Sequence, residues 1–198
     1  LTDSDLEYER ESYCKAVNML LEMAANYGFS GNLWHTYLTW LLVNSDNAFS
    51  KSCEIVGPVE GSINVMARHD LAIFKELFDF DIAKIDEMMG MDMASVLKNY
   101  VHTSDSSKLY NRRIRDRICV LSKELADTAD VDAFMAALVN FYGEFGVGKF
   151  GLNKAFRLRE NGDGTATIEP ITNIAHVYLE DLVGYEIPKQ KLIENTEA

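Results

Sequence analysis

Through the first 145 residues the apolar positions recur every three or four places, the spacing that gathers them on one face of a helix. Leu6, Val17, Leu20, Leu21 and Ala24 share one side of a segment that Asp3 or Ser4 can cap and Gly28 can stop. Asn32 opens a second helix through Trp34, Tyr37, Leu38, Leu41 and Leu42. That stretch is apolar nearly all round, which places it at the centre of the core. A shorter helix is expected over residues 48–55, broken at Gly57-Pro58. Ser62 or Asn64 begins the next, through Val65, Met66, Leu71, Ile73, Phe74, Leu77 and Phe78, with Asp70 able to restart it after a bend. Residues 82–89 and 93–101 form two short pieces around Gly90. A polar loop over 102–107 leads to a long helix from about Lys108 to Ala126, with Ile114, Ile118, Leu121 and Leu125 inward. Asp130 caps a last helix through Phe134, Ala137, Leu138 and Phe141. Short helices alternating with turns suggest stacked helical hairpins, although no fixed repeat length is present.

The period changes after Gly146. Ala155-Phe156-Arg157-Leu158-Arg159 alternates, as does Thr165-Ala166-Thr167-Ile168-Glu169-Pro170, and Asn161-Gly162-Asp163-Gly164 lies between them. Alternation on both sides of such a turn predicts a β-hairpin. A short apolar turn broken by Gly184 follows, then a polar amphipathic stretch from Lys189 to Ala198. The expected fold is mainly α: a multi-helical N-terminal domain (1–145), a glycine joint with the β-hairpin (146–178), and a C-terminal helical arm (179–198). The chain opens on Leu1 and closes without a helix stop signal, so it is expected to be a piece of a longer protein.

Composition narrows the functions. Apolar residues make up 47%, enough for a folded core. The net charge of −12 argues against broad binding to nucleic acid or to an anionic membrane. Most of it sits in residues 1–100, with 16 acidic and 7 basic side chains against 15 and 12 in the remainder. Cys14, Cys53 and Cys119 have neither metal spacing nor a disulfide frame; they read as reduced, half-buried thiols in a cytoplasmic protein. No apolar run approaches the ~20 residues of a membrane span.

Little of the sequence has the spacing of a reaction centre. Gly143-Glu144-Phe145-Gly146-Val147-Gly148-Lys149-Phe150 nearly matches a phosphate-binding loop, but Phe150 replaces the hydroxyl that would reach Mg²⁺, and a helical pattern rather than a strand precedes it. Gly143, Gly146, Gly148 and Gly151 read better as a hinge, since glycine tolerates the backbone changes a hinge absorbs. A self-sufficient nucleotide hydrolase using Lys149 remains the enzymatic alternative. Asn161-Gly162-Asp163-Gly164-Thr165 lacks the further acidic ligands of a calcium loop. His35, His69, His102 and His176 make no zinc spacing, and Ser52, Cys53 and Ser122 have no base arranged near them. His69 and Asp70 are adjacent and are expected to point apart on a helix. Arg112, Arg113, Arg115 and Arg117 are the basic cluster; Arg113 and Arg117 share a face, as do Arg112 and Arg115. They read as a solvated face or a docking patch for an acidic neighbour, with a nucleic-acid contact as the alternative. Met88-Met89-Gly90-Met91-Asp92-Met93 is dense in a side chain that repacks easily and can line adaptable binding surfaces.

Four stretches carry a family resemblance. They are Phe145 to Arg157, Ile168-Glu169-Pro170-Ile171, Leu182-Val183-Gly184-Tyr185-Glu186, and Lys191 to Ala198; Asn32 to Leu38 and Asp70 to Asp79 support them. Together they resemble a bacterial, clostridial-type family of AAA+-type ATP-binding proteins of unknown function. In that family the phosphate-binding loop lies about twenty residues beyond the segment like Lys191–Ala198. The resemblance therefore implies an N-terminal region ending before the ATPase core. It implies a non-catalytic binding or regulatory domain that presents a protein partner or controls assembly. ATP and Mg²⁺ would belong to the full-length protein and no cofactor to this region, whose first partner would be the C-terminal ATPase core. By the same resemblance Val183 and Gly184 would lie over adenine when that core is present.

Overall fold

A computed structural model describes residues 3–56, 61–103, 112–148, 152–153, 155–162, 164–171 and 184–197. The chain is mainly helical, followed by a two-stranded antiparallel hairpin and a C-terminal helix. In order the elements are α1 (Asp3–Tyr27), α2 (Leu33–Asn44), α3 (Ala48–Val56), α4 (Ser62–Asp79), α5 (Ala83–Met89), α6 (Ala94–Lys98), α7 (Arg112–Ala126), α8 (Val131–Phe145), β1 (Phe156–Glu160), β2 (Ala166–Pro170) and α9 (Glu186–Glu197).

Local chemistry sets several helix ends. Gly28 takes φ 73° after α1, a conformation that glycine adopts without Cβ strain. The Asn32 side chain accepts a hydrogen bond from His35 N–H (3.2 Å), and that of Asp130 accepts one from Ala133 N–H (2.8 Å), so each caps its helix as the sequence leads one to expect. Gly146 ends α8 at φ 73°, its N–H donating to Tyr142 O.

α2 runs through the middle, packed by α1, α4, α6 and α7, while α8 packs against α3, α4 and α7. Phe29, Leu33, Leu38, Val43, Ile118, Leu121, Leu125, Phe134 and Leu138 fill the space between them. Two threonines of α2, Thr36 and Thr39, are also fully enclosed. Their hydroxyls donate to the carbonyls of Asn32 and His35, both at 2.8 Å, so no polar group is stranded there. Tyr142 donates to Leu42 O at 2.9 Å and ties α8 to the end of α2 across the core.

The structure corrects four expectations. The most extensive helix packing pairs α3 with α8, α2 with α7 and α4 with α8, which is a bundle of non-consecutive helices and not a stack of hairpins. α4 passes through Asp70 unbroken; that side chain faces solvent and does not compete for the backbone. The helix expected over 93–101 stops at Lys98 because Tyr100 exchanges two backbone hydrogen bonds with Gly31 (2.7 and 3.0 Å). The helical body does not close at residue 145, since Val147 and Leu152 belong to its core. The polar loop and the first turn expected for α7, residues 104–111, lie outside the described residues, as does the Gly57-Pro58 break.

The Met88–Met93 stretch is a pinned turn. Asp86, 6% exposed, accepts from Tyr13 OH (2.8 Å) on α1 and from the N–H groups of Met93 (2.8 Å) and Ala94 (2.6 Å) at the start of α6. Burial raises the carboxyl's pKa, but the bonds from Ala94, Tyr13 and Met93 more than offset this, and the net shift is downward. Arg10 Nε donates to Met89 O at 2.7 Å. Gly90 takes the left-handed conformation that lets the chain turn here. Met88 stands in solvent, while Met89, Met91 and Met93 are half-buried.

Candidate functional site

The glycine joint divides into parts with different physical jobs. Gly143 lies inside α8 in ordinary helical conformation, so it is not a joint residue. Gly146 and Gly148 are buried with φ 73° and 66°, where a side chain would be strained. A Cβ on Gly148 would stand 3.7 Å from Asp46 Cβ, so this turn rests closely on the α2–α3 connection. Gly151 and Lys149 lie outside the described residues. α8, and no strand, leads into the near-phosphate-loop, so the context such a loop requires is missing.

The arginine cluster splits. Arg112, Arg113 and Arg117 are exposed, but Arg115 is 8% exposed and its Nε donates to Asp116 at 2.8 Å. Arg112 approaches the other oxygen of Asp116 at 3.8 Å. Arg117 meets Glu144 at 3.5 Å and stacks over the Phe145 ring with its carbon 4.8 Å from the centroid. Arg115 therefore does not contribute to a basic face, and Arg117 serves as a clasp between α7 and α8. Val183 lies outside the described residues. Gly184 is exposed at φ 85°, and a Cβ placed on it would meet nothing within 4 Å.

The hairpin has two unlike faces. Its register pairs Phe156 with Pro170, Leu158 with Ile168 and Glu160 with Ala166 on one side, and Arg157 with Glu169 and Arg159 with Thr167 on the other. Asn161 N–H donates to Thr165 O at 2.8 Å, and the Asn161 amide donates to the hydroxyls of Thr165 and Thr167, both at 2.9 Å. On the polar side Glu169 accepts from Arg157 (3.1 Å) and Arg159 (3.2 Å). Those bonds hold its pKa below the ordinary carboxylate value. On the apolar side Phe156 and Pro170 are half-buried, while Leu158 is 70% exposed and Ile168 38%. Tyr185, just before α9, and Ile187 and Leu192 within it are likewise exposed.

A second feature lies between the start of α2 and the last turns of α7. A cleft of about 170 Å³ is lined there by Asn32, His35, Cys119, Ser122, Lys123 and Asp127 among others. His35 Nε2 lies 2.9 Å from Phe78 O, and a carbonyl only accepts, so the proton is on Nε2 and the Nδ1 of the neutral ring has a lone pair. Burial lowers the His35 pKa, with the Phe78 bond opposing it, and favours that neutral ring. Burial also raises the Cys119 thiol's pKa, so it stays protonated and weakly nucleophilic. The sequence pattern marks Asn32 only as a helix start, Cys119 as a half-buried thiol and Ser122 as a hydroxyl without a base, and singles out neither Lys123 nor Asp127. Only the spacing of Ser122, Lys123 and Ala126 on one side of α7 could have hinted at a shared wall.

His69 and Asp70 do touch, at 3.3 Å, against the expectation that they point apart, but both are in solvent. No group of three metal-ligating side chains occurs among the described residues. No described helix is long and apolar enough to cross a membrane. Comparison with protein-family models, curated proteins and solved structures found no match.

Proposed function

We propose that this chain is a non-catalytic binding and regulatory module of an AAA+-type ATP-binding protein, and that it docks on the ATPase core through its hairpin. The observation that carries this reading is the exposed Leu158–Ile168 pair on the apolar side of β1 and β2. A two-stranded hairpin is marginal in water unless a further layer covers its apolar side. Leu158 alone would gain about 1–2 kcal/mol if a partner completed its burial. The salt-bridged opposite side is already satisfied by the Arg157–Glu169–Arg159 ladder and suits solvent. In this reading the nucleotide and Mg²⁺ belong to the core. The module contributes a surface whose contacts differ between nucleotide states, which is what a motor requires of an attached domain. A protein partner would be presented by the helical body, and the compartment would be the cytoplasm.

Amide exchange tests this. Hairpin amides should slow about tenfold or more when an AAA+ core is joined to the chain, as covering one side adds stability to local opening. Leu158→Glu should remove that slowing while the helical body keeps its far-ultraviolet spectrum. Equal exchange with and without the core overturns the docking reading. Tight Mg-ATP binding by the chain alone, lost in Lys149→Ala, would favour the hydrolase instead.

A further inference from the structure

The cleft between α2 and α7 contains a polar group that the fold does not use. Ser122 is 4% exposed, lines the cleft, and has no hydrogen-bond partner among the described residues. A serine in a helix interior can donate back to the carbonyl one turn earlier, as Ser52 does to Ala48 at 2.8 Å, and Ser122 does not. The Ser122 oxygen is not among the buried unpaired atoms, so it opens onto the cleft, where a ligand can reach it. Lys123 and Asp127 stand one helical turn apart at the same wall, yet neither is in an ion pair among the described residues. The neutral His35 ring adds an acceptor and the Asn32 side chain an amide on the facing helix.

We infer that this cleft binds a small zwitterion of the α-amino-acid class. Its carboxylate sits against the Lys123 ammonium and the Ser122 hydroxyl, and its ammonium against the Asp127 carboxylate. Both signs are present at one wall, so a simple anion would meet Asp127 and a simple cation would meet Lys123. A zwitterion satisfies the two together. Its zero net charge also escapes the repulsion that a chain of net −12 exerts on free anions. The volume of about 170 Å³ suits a compact ligand with a short side chain. This inference is independent of the hairpin's docking role.

The test is calorimetric titration of the whole chain with L-alanine, with acetate and ethylammonium as single-charge controls. Protection of Cys119 from alkylation, followed by peptide mass, is a second readout, since its thiol shares the cleft. L-alanine should bind saturably, slow Cys119 alkylation, and bind better than either control. Ser122→Ala should weaken binding about fivefold, the worth of one hydrogen bond to a charged group's partner. It should leave thermal stability unchanged or slightly higher, because the hydroxyl has no partner to lose. Lys123→Gln, at an exposed position, should weaken binding further without affecting folding. Absence of saturable binding overturns the inference. So does acetate binding as well as L-alanine, or binding that neither substitution weakens.

Discussion

Asp86 is the residue whose removal most directly tests how α1, α5 and the start of α6 are joined. Asp86→Ala deprives Tyr13 OH and the N–H groups of Met93 and Ala94 of their acceptor. Bonds to a charged acceptor are worth about 1.5–3 kcal/mol each when enclosed. Met93 and Tyr13 are half-buried, so water recovers part of two of them, and the net expectation is about 3 kcal/mol. Asp86→Asn keeps one acceptor oxygen and should cost roughly half as much. The pH dependence has a definite sign. The folded pKa is lowered, so the stabilisation is complete above the ordinary carboxylate value, about pH 4, and is lost as pH falls from there through the folded value. Urea unfolding followed by circular dichroism at about pH 7 and about pH 3 measures both effects. Asp86→Ala within about 1 kcal/mol of the parent chain at neutral pH would refute the network. So would an Asp86→Asn variant that loses as much stability on acidification as the parent, since this carboxylate would then contribute nothing to the acid limb.

Two further expectations follow from the core and the glycines. Tyr142→Phe removes the buried donation to Leu42 O and should cost about 1–2 kcal/mol in urea unfolding; no change would show that the bond does not stabilise the α2–α8 junction. Gly143→Ala and Gly146→Ala should move stability in opposite directions. At Gly143 the helix gains up to about 1 kcal/mol and the new Cβ meets nothing closer than Cys53 O at 3.9 Å, whereas at Gly146 the positive φ costs about 1–3 kcal/mol. If both variants lost stability equally, Gly143 would have to be a joint residue after all, and thermal unfolding midpoints decide it.

The parts of the fold legible in the sequence depend on neighbours a few residues apart. Asn32 and Asp130 cap because their side chains reach the N–H three residues on. The hairpin forms at the expected place, with strands one residue later at each start, since Asn161 and Thr165 close the turn between themselves. The inward positions of α7 follow its period: Ile114, Ile118, Leu121 and Leu125 are all buried. The same period could not say that Arg115 would turn inward, because its fate depends on how α7 is rotated against α2. Nor could it find Ser122 as a cleft residue, since a serine beside an inward leucine looks the same whether it bonds its own helix or faces a cavity.

The sequence by itself determined the capped starts of α2 and α8, where the hairpin turns, and which stripe of a helix such as α7 is apolar, because capping, turn geometry and periodicity are settled within one or two turns of chain. The tertiary structure alone decided that α2 is enclosed by helices distant in sequence. It alone showed that Asp86 is held from α1, 73 residues away at Tyr13, and that Tyr100 stops α6 by pairing with Gly31. It alone left Leu158 exposed on the hairpin and set the Ser122 hydroxyl of α7 facing a cleft. Contacts between segments far apart in the chain depend on shape and packing of the whole body, and hydrophobic periodicity carries no record of which faces will meet.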